Sequence, residues 1–283
     1  MAVFEAIART LLNPLLVNLA FLMSKPTGHT TYAMNLFPTL QSLNPTLLVA
    51  KDIDNYKCYP VSPNLTPEQG KKGHISRLWW TQFYLPKIYR QLKASLLFSP
   101  IPEAPLFSGC RYVVTVHDLI PLRFPNRHSP LTAYNRYCLP HVLQQAQHII
   151  CDSTATAQDV IRFFEISVDK ITPVLLAYDA ENFRFLDLPT RNYFLYIGRH
   201  DPYKNLPRLI QAFSTLSCCR DRELWIAGST DRRYTPLLKT LAAELGISNQ
   251  VKFLEYVPYS ELPGLINGAI ALVFPSLWEG FGL

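Results

Sequence analysis

The sequence predicts an α/β protein in which two doubly wound domains follow one another. Three observations carry this. Short apolar runs alternate along the chain with amphipathic segments of helical spacing. The runs lack the in–out alternation of a half-solvated sheet, so both of their faces are expected to be buried, as in a parallel sheet covered by helices. And 283 residues suffice for two domains of ordinary size. The first domain is expected over 1–180 and the second over 181–283, joined near 178–190.

In the first half, strands are expected at 15–22, 46–50, 95–98, 112–116, 148–151 and 171–176. Helices are expected at 30–43, 79–93, 131–147 and 156–164. The opening LLNPLLVNLAFLM reads as a buried first strand and not as a leader or a span. Asn13, Pro14 and Asn18 interrupt it, it falls short of the ~20 residues a span needs, and it has no clear small-residue cleavage site. Thr156 with Asp159 resembles a capping box with Asp in place of Glu. Residues 54–74 have loop chemistry and no periodicity.

The second half is more regular. A strand at 193–198 precedes Leu206, Leu209, Ile210, Phe213 and Leu216 at helical spacing. A strand follows at 223–228, then a helix at 235–246 ended by Gly246, and a strand at 251–257. SELPGLINGA is a short helix, and 270–276, which holds Phe274, is a buried last strand.

Composition narrows the classes. With 48% hydrophobic and 17% charged residues, cores can form and disorder is excluded. The net charge of +6 is spread over both halves, which suits anionic small molecules or an anionic membrane face. No Lys/Arg stripe with interleaved aromatics marks nucleic acid as a partner. The six cysteines form no Cys-x-x-Cys and pair with no His at zinc spacing, so they read as reduced thiols of a cytoplasmic protein.

Ligands of open α/β sheets sit beyond the carboxyl ends of the strands, so four strand exits are candidate sites. In PTGHTTYAMNLF (26–37), Thr27 and Gly28 follow a strand and precede a helix. A glycine there admits a phosphate to the backbone and the helix N-terminus, although a lone glycine is more often a plain turn. In VVTVHDLIPLRFP (113–125), His117 and Asp118 end an apolar strand and are placed to line a crevice. The competing reading is an Asp capping a turn and a His held by backbone. In YIGRHDPYKNL (196–206), Arg199 and Lys204 flank a strand-to-helix turn. Two cations there suit a diphosphate; solvated loop cations are the alternative. In WEGFGL (278–283), Gly280 and Gly282 expose backbone N–H groups, and Glu279 beside them is suited to accept from sugar hydroxyls. The carboxylate and the amides together point to a ligand that is both sugar and phosphate, a nucleotide sugar.

Taken together, these segments resemble the retaining glycosyltransferases of family 4, which have the GT-B fold: two Rossmann-like doubly wound domains facing a cleft. FLYIGRHDPYKNLPRLIQAF is similar to the family's Gly-Arg-x-x-x-x-Lys-Asn segment, and VKFLEYVPYSELPGLINGAIALVFPSLWEGFGL to its most specific stretch. TGHTTYAMNL and VHDLIPLRFP are similar to its two N-terminal ligand loops. The resemblance runs along nearly the whole chain and is strongest after Tyr193.

The resemblance implies a donor nucleotide sugar held mostly by the second domain, and transfer with retention to a glycan or lipid-linked acceptor in polysaccharide or lipopolysaccharide assembly. Arg199 and Lys204 would bind the diphosphate and stabilise it as it leaves. Gly28 would bring backbone near the diphosphate or sugar, and His117 would touch the donor sugar. Glu279 and the amides of Gly280, Phe281 and Gly282 would hold sugar hydroxyls, and Tyr256 and Val257 would meet the base. No metal or other cofactor is expected, and no enzyme nucleophile is marked. The Asp52–Ile53–Asp54 triplet is read as a chance match to a metal-binding Asp-x-Asp.

The chain also departs from the family. Of two glutamates spaced by seven residues only Glu279 is present, so the second domain is expected to be incomplete through C-terminal truncation. His29, Thr30 and Thr31 follow Gly28 where Ile-Gly-Arg is common, and LLAYDAENF stands where Gly-Val-Asp is common. A non-catalytic remnant or binding protein of the same fold is the alternative, and an epimerase or phosphorylase is another. Lys71 to Lys93 mix cations and aromatics. They read either as a peripheral contact at the inner face of a membrane or as a core-packed helix with a solvated face.

Overall fold

A computed structural model describes residues 14–24, 28–126, 129–217 and 221–281. The chain divides into two compact units. The first reaches to Leu176 and takes in Gly280 and Phe281; the second is Ala177–Glu279.

The first unit contains β1 (Leu15–Asn18), α1 (Gly28–Leu36), β2 (Thr46–Val49), β3 (Lys57–Pro60), α2 (Gly70–Phe83), α3 (Leu85–Gln91) and β4 (Leu96–Ser99). It continues with β5 (Tyr112–Val116), α4 (Ile120–Arg123), α5 (Pro130–Tyr137), α6 (Leu139–Gln145), β6 (His148–Cys151), α7 (Thr154–Phe164) and β7 (Ile171–Pro173). The seven strands form one parallel sheet in the order β3-β2-β1-β4-β5-β6-β7. The order reverses between β1 and β4, the switch point of the sheet.

Both faces of this sheet are covered, which explains the uninterrupted apolar runs. Leu16, Leu48, Leu97, Val114 and Ile149 pack with Leu85, Ile88, Leu139 and Val142 of the helices. The alternate residues Val17, Leu47, Phe98 and Val113 pack on the other face with Ala33, Phe37 and Leu40. Burial of each such side chain contributes about 1.5–3 kcal/mol. At the two edges, Val61 N donates inward to Val49 O at 2.9 Å and Val174 N to Cys151 O at 2.7 Å. Alternate residues of a strand bond to opposite sides, so Pro60 and Pro173 turn their nitrogens outward.

The second unit contains β8 (Tyr193–Ile197), α8 (Leu206–Ser214), β9 (Glu223–Ala227), α9 (Thr235–Glu244), β10 (Val251–Leu254), α10 (Leu262–Asn267) and β11 (Ala271–Leu272). Its parallel sheet has the order β10-β9-β8-β11, with the switch point between β8 and β11. Leu206, Leu209, Ile210 and Phe213 of α8 meet Leu224 and Ile226 of β9 and Leu238 of α9. Tyr193, Leu195 and Ala227 meet Leu265 and Ile266 on the other face.

Several elements differ from the sequence reading. Residues 54–74 are not all loop: they hold the edge strand β3, two 3-10 turns and the start of α2. Gly73 is there for space, because a Cβ would lie 2.1 Å from Thr66 O. The helices expected at 79–93 and 131–147 are each two helices, divided at Tyr84 and Cys138 ahead of Pro86 and Pro140, whose missing N–H breaks the ladder. The helix expected at 30–43 begins at Gly28 and passes into a 3-10 turn, Phe37–Leu43, with Pro38 in its first turn. The cap of α7 is Ser153, whose hydroxyl accepts from Thr156 N; Asp159 instead binds Arg123. The last strand is only Ala271–Leu272 and is exposed, as is Phe274, because β11 is an edge strand. Among the described residues no helix is long and apolar enough to cross a membrane.

Candidate functional site

In the first unit the candidate residues lie at the carboxyl end of the sheet. Gly28 opens α1, and among the described residues no atom lies within 4 Å of where its Cβ would be. Pro26 and Thr27 lie outside the described residues. His117 follows β5 directly. Its Nδ1 is 2.7 Å from Asp152 Oδ2 and its Nε2 2.8 Å from Pro100 O. The ring stacks on His29 at 4.6 Å and meets Tyr32 edge-on at 4.7 Å. Burial pushes the Tyr32 hydroxyl up to about 12, eased by its bond to Thr115 and raised further by the Asp152 charge. Both nitrogens of His117 are thus engaged within the protein, and Nε2 reaches a ligand only by leaving the Pro100 carbonyl. Asp118 caps the following turn, accepting from Ile120 N at 2.9 Å.

The loop after β5 is tied down from α7. Arg123 makes a two-pronged pair with Asp159 at 2.7 and 2.5 Å, and Thr156 Oγ1 donates to His117 O at 3.0 Å. Gly280 belongs to this unit; its carbonyl accepts from Ser153 Oγ at 2.5 Å, and a Cβ on it would lie 2.3 Å from His117 O. Phe281 is partly exposed, and Gly282 lies outside the described residues.

Behind β4 sits a polar group that sequence reasoning missed. Arg77 of α2 binds Glu103 through Nε at 2.7 Å and Nη2 at 2.8 Å. It also reaches Leu65 O at 3.1 Å and His74 Nδ1 at 2.9 Å. The pair is almost fully buried. Burial pulls the guanidinium pKa down, but the charge and hydrogen bonds of Glu103 outweigh that and raise it. The pair fixes the loop after β4, which offers Pro100 O to His117 and Pro102 O to Tyr134.

In the second unit the loop after β8 carries both expected cations, and each holds a carboxylate. Arg199 Nε is 2.8 Å from Asp201 Oδ2, with the arginine side chain 73% exposed. Lys204 Nζ is 2.5 Å from Glu279 Oε1, both largely shielded. Residues 199–205 and 275–279 are also joined by Leu277 N to Tyr203 O at 2.8 Å and Asn205 Nδ2 to Pro275 O at 3.1 Å. The segments following β8 and β11 therefore meet at the switch point.

Two glycines shape the floor. Gly198 (φ 152°) and Gly228 (φ 146°) end β8 and β9 back to back, and a Cβ on Gly228 would lie 2.0 Å from Gly198 O. Tyr256 is partly exposed beyond β10, whereas Val257 packs into the core with Tyr193 and Leu195. His200, also missed, is buried with Nδ1 2.7 Å from Thr235 Oγ1 and Nε2 without a partner. The signals for Asp152 and His200 were their places just after strands.

The model described as Glycosyltransferase Family 4 matches residues 27–182, and the one described as Glycosyl transferases group 1 matches 179–283. The O-antigen chain mannosyltransferase RfbU of Salmonella typhimurium is 23% identical over 95% of this chain and 77% of its own length. The O-antigen chain mannosyltransferase B of Escherichia coli is 28% identical over 61% of this chain, which spans 49% of it. Anabaena HepE, solved with UDP-glucose, superposes with a TM-score of 0.66 at 14% identity, over 94% of this chain and 75% of that one. A family model that covers more than half of the chain settles its membership: the protein belongs to the family described as Glycosyltransferase Family 4 and is a glycosyltransferase of the GT-B fold.

Proposed function

We propose that the protein transfers a hexose from a nucleotide sugar to a hydroxyl of a glycan or lipid-linked acceptor, with retention, in the cytoplasm. The observation that carries the proposal is the Lys204–Glu279 pair at the switch point of the second unit. It sets a cation and a carboxylate side by side where open sheets receive ligands. A diphosphate takes the cation; sugar hydroxyls take the carboxylate.

In this mechanism the bond from the anomeric carbon to the diphosphate oxygen breaks while the acceptor oxygen bonds to the same face. The acceptor proton passes to the departing phosphate. Negative charge grows on the diphosphate, so Lys204 and Arg199 act mainly in the transition state. Arg199, whose side chain is exposed, leaves Asp201 to do so. Within the second unit, Tyr256 meets the base. His117 serves through its ring and backbone while Asp152 and Pro100 hold it.

Mannose is the first donor sugar to test, since both relatives are described as mannosyltransferases. UDP-glucose is the second, since HepE was solved with it. The experiment offers each nucleotide hexose with lipid-linked and free glycan acceptors and reads the anomeric configuration of the product by NMR. A new glycosidic bond of the donor's configuration supports the proposal. Inversion overturns retention, and free sugar or sugar phosphate as the main product overturns transfer.

A further inference from the structure

We propose that His200 is a positioning residue for the transfer reaction: as a neutral ring bonded to Thr235 it fixes the loop that carries Arg199 and Lys204, and as a cation it releases that loop. The inference rests on the transfer reading and adds to it a residue that touches no substrate. Between Tyr196 and Leu206, His200 is the one buried residue, 3% exposed. Arg199 before it is exposed and Asp201 after it is half-buried. The Nδ1 of His200 is 2.7 Å from Thr235 Oγ1. Thr235 opens α9, and its hydroxyl accepts from Asp231 N at 2.9 Å. The ring therefore ties the loop after β8 to the turn after β9. Lys204 N donates to Asp201 O at 2.9 Å, so a displacement at His200 reaches both cations. A second bond holds the same loop, from Tyr196 Oη to Arg199 O at 2.7 Å. Burial pushes that hydroxyl up, so it keeps its proton and does not respond to pH. His200 is the tie that does.

The Nε2 of His200 is buried and has no partner among the described residues. An apolar side chain in this place would avoid the cost of a buried polar atom left unbonded. The neutral ring carries that cost on one nitrogen. The charged ring would bury a cation with an N–H that bonds to nothing, so protonation drives it out of the pocket. The charges around it do not reverse this. Asp231 is engaged by Arg233 at 2.7 Å, and Asp201 by Arg199 at 2.8 Å. Phe253 of β10 meets the imidazole edge-on at 6.2 Å between centroids, and Lys239 Nζ of α9 lies 5.6 Å from the centre of that phenyl ring. Burial accordingly holds the His200 pKa below the ordinary 6.5, although Asp231 and Asp201 pull it up. The tie is complete at neutral pH and fails as pH falls through that lowered value.

Hydrogen–deuterium exchange of the full chain reads the loop without a donor, and initial rates with the nucleotide hexose used in transfer read the consequence. Between about pH 7.5 and about pH 5, after correction for the intrinsic pH dependence of exchange, residues 199–205 lose at least about tenfold in protection while β9 and α9 keep theirs. Over the same interval kcat/KM for the donor falls, approaching about tenfold per pH unit. His200→Asn keeps a hydrogen bond to Thr235 and cannot take up a proton, so it holds the loop at both pH values and abolishes the acid fall in rate. His200→Leu loosens the loop at about pH 7.5 and lowers kcat/KM about tenfold or more. Loop protection that does not change with pH, a loss shared equally by β9 and α9, a released loop with an unaltered rate, or an acid fall that persists in His200→Asn overturns the proposal. Exchange decides what His200 does to the loop even where no hexose is transferred, an outcome that fails the transfer reading instead.

Discussion

Replacing Glu103 with Ala strands a buried cation, and the cost follows from the geometry. Arg77 makes four polar contacts, two of them to Glu103 at 2.7 and 2.8 Å. The variant keeps Leu65 O and His74 as partners and loses both charge-assisted bonds, worth about 1.5–3 kcal/mol each. The guanidinium is 2% exposed as a residue, so water does not replace them without local opening. An orphaned buried charge costs about 3–5 kcal/mol, in line with that sum. With a urea slope of about 2 kcal/mol per molar, the midpoint of the first unit falls by about 1.5–2.5 M. Trp79 and Trp80 lie on α2 and report that transition by fluorescence. The Arg77→Met/Glu103→Leu double variant removes both charges and recovers most of the loss. A single Glu103→Ala variant with an unmoved midpoint, or a double variant worse than either single one, refutes the argument. The same change frees the loop that holds Pro100 O against His117.

Four further outcomes are expected. Lys204→Met lowers kcat/KM for the donor by about 10²–10³ with the fold intact, measured by initial rates; a loss under tenfold removes Lys204 from the transition state. If, as proposed, Lys204 and Arg199 serve the diphosphate without a metal, EDTA leaves the transfer rate unchanged; a loss restored by Mg²⁺ or Mn²⁺ reverses that reading. Burial holds the His200 pKa below its ordinary 6.5, with Asp231 and Asp201 opposing it. The unfolded chain then binds the proton first as pH falls, so the second unit loses stability from about pH 6.5 downward, and His200→Gln flattens the slope read from Trp225 fluorescence against urea. Gly228→Ala drives a methyl against Gly198 O and costs about 1–3 kcal/mol; an unchanged melting midpoint shows that the two strand ends separate easily.

The α/β class was legible because fully covered parallel strands write themselves as apolar runs, as 112–116 and 223–227 do. The strand β3 was not, because Lys57–Pro60 is an edge strand with two exposed ends and no alternation. The start of α2 was hidden by Gly70-Lys71-Lys72-Gly73, a poor helix signal whose second glycine is required by the closeness of Thr66. Strand exits marked His117, Arg199, Lys204 and Glu279 as candidates. Their pairings escaped, because the Lys204–Glu279 and His117–Asp152 pairs join residues 75 and 35 positions apart. Such pairings depend on strand order, and no local pattern encodes it.

The outward nitrogens of Pro60 and Pro173 bear on how the protein behaves when crowded. An edge strand offers unpaired N–H and C=O groups on which a neighbouring chain can lay a strand of its own. Proline removes a donor at the point where that addition would begin, and it does so on both margins of the seven-stranded sheet. Among the described residues, each border of the parallel array therefore lacks one of its outward donors. Replacing Pro60 or Pro173 with valine would restore that donor, leave the fold unchanged, and make the border a better template for aggregation at high concentration.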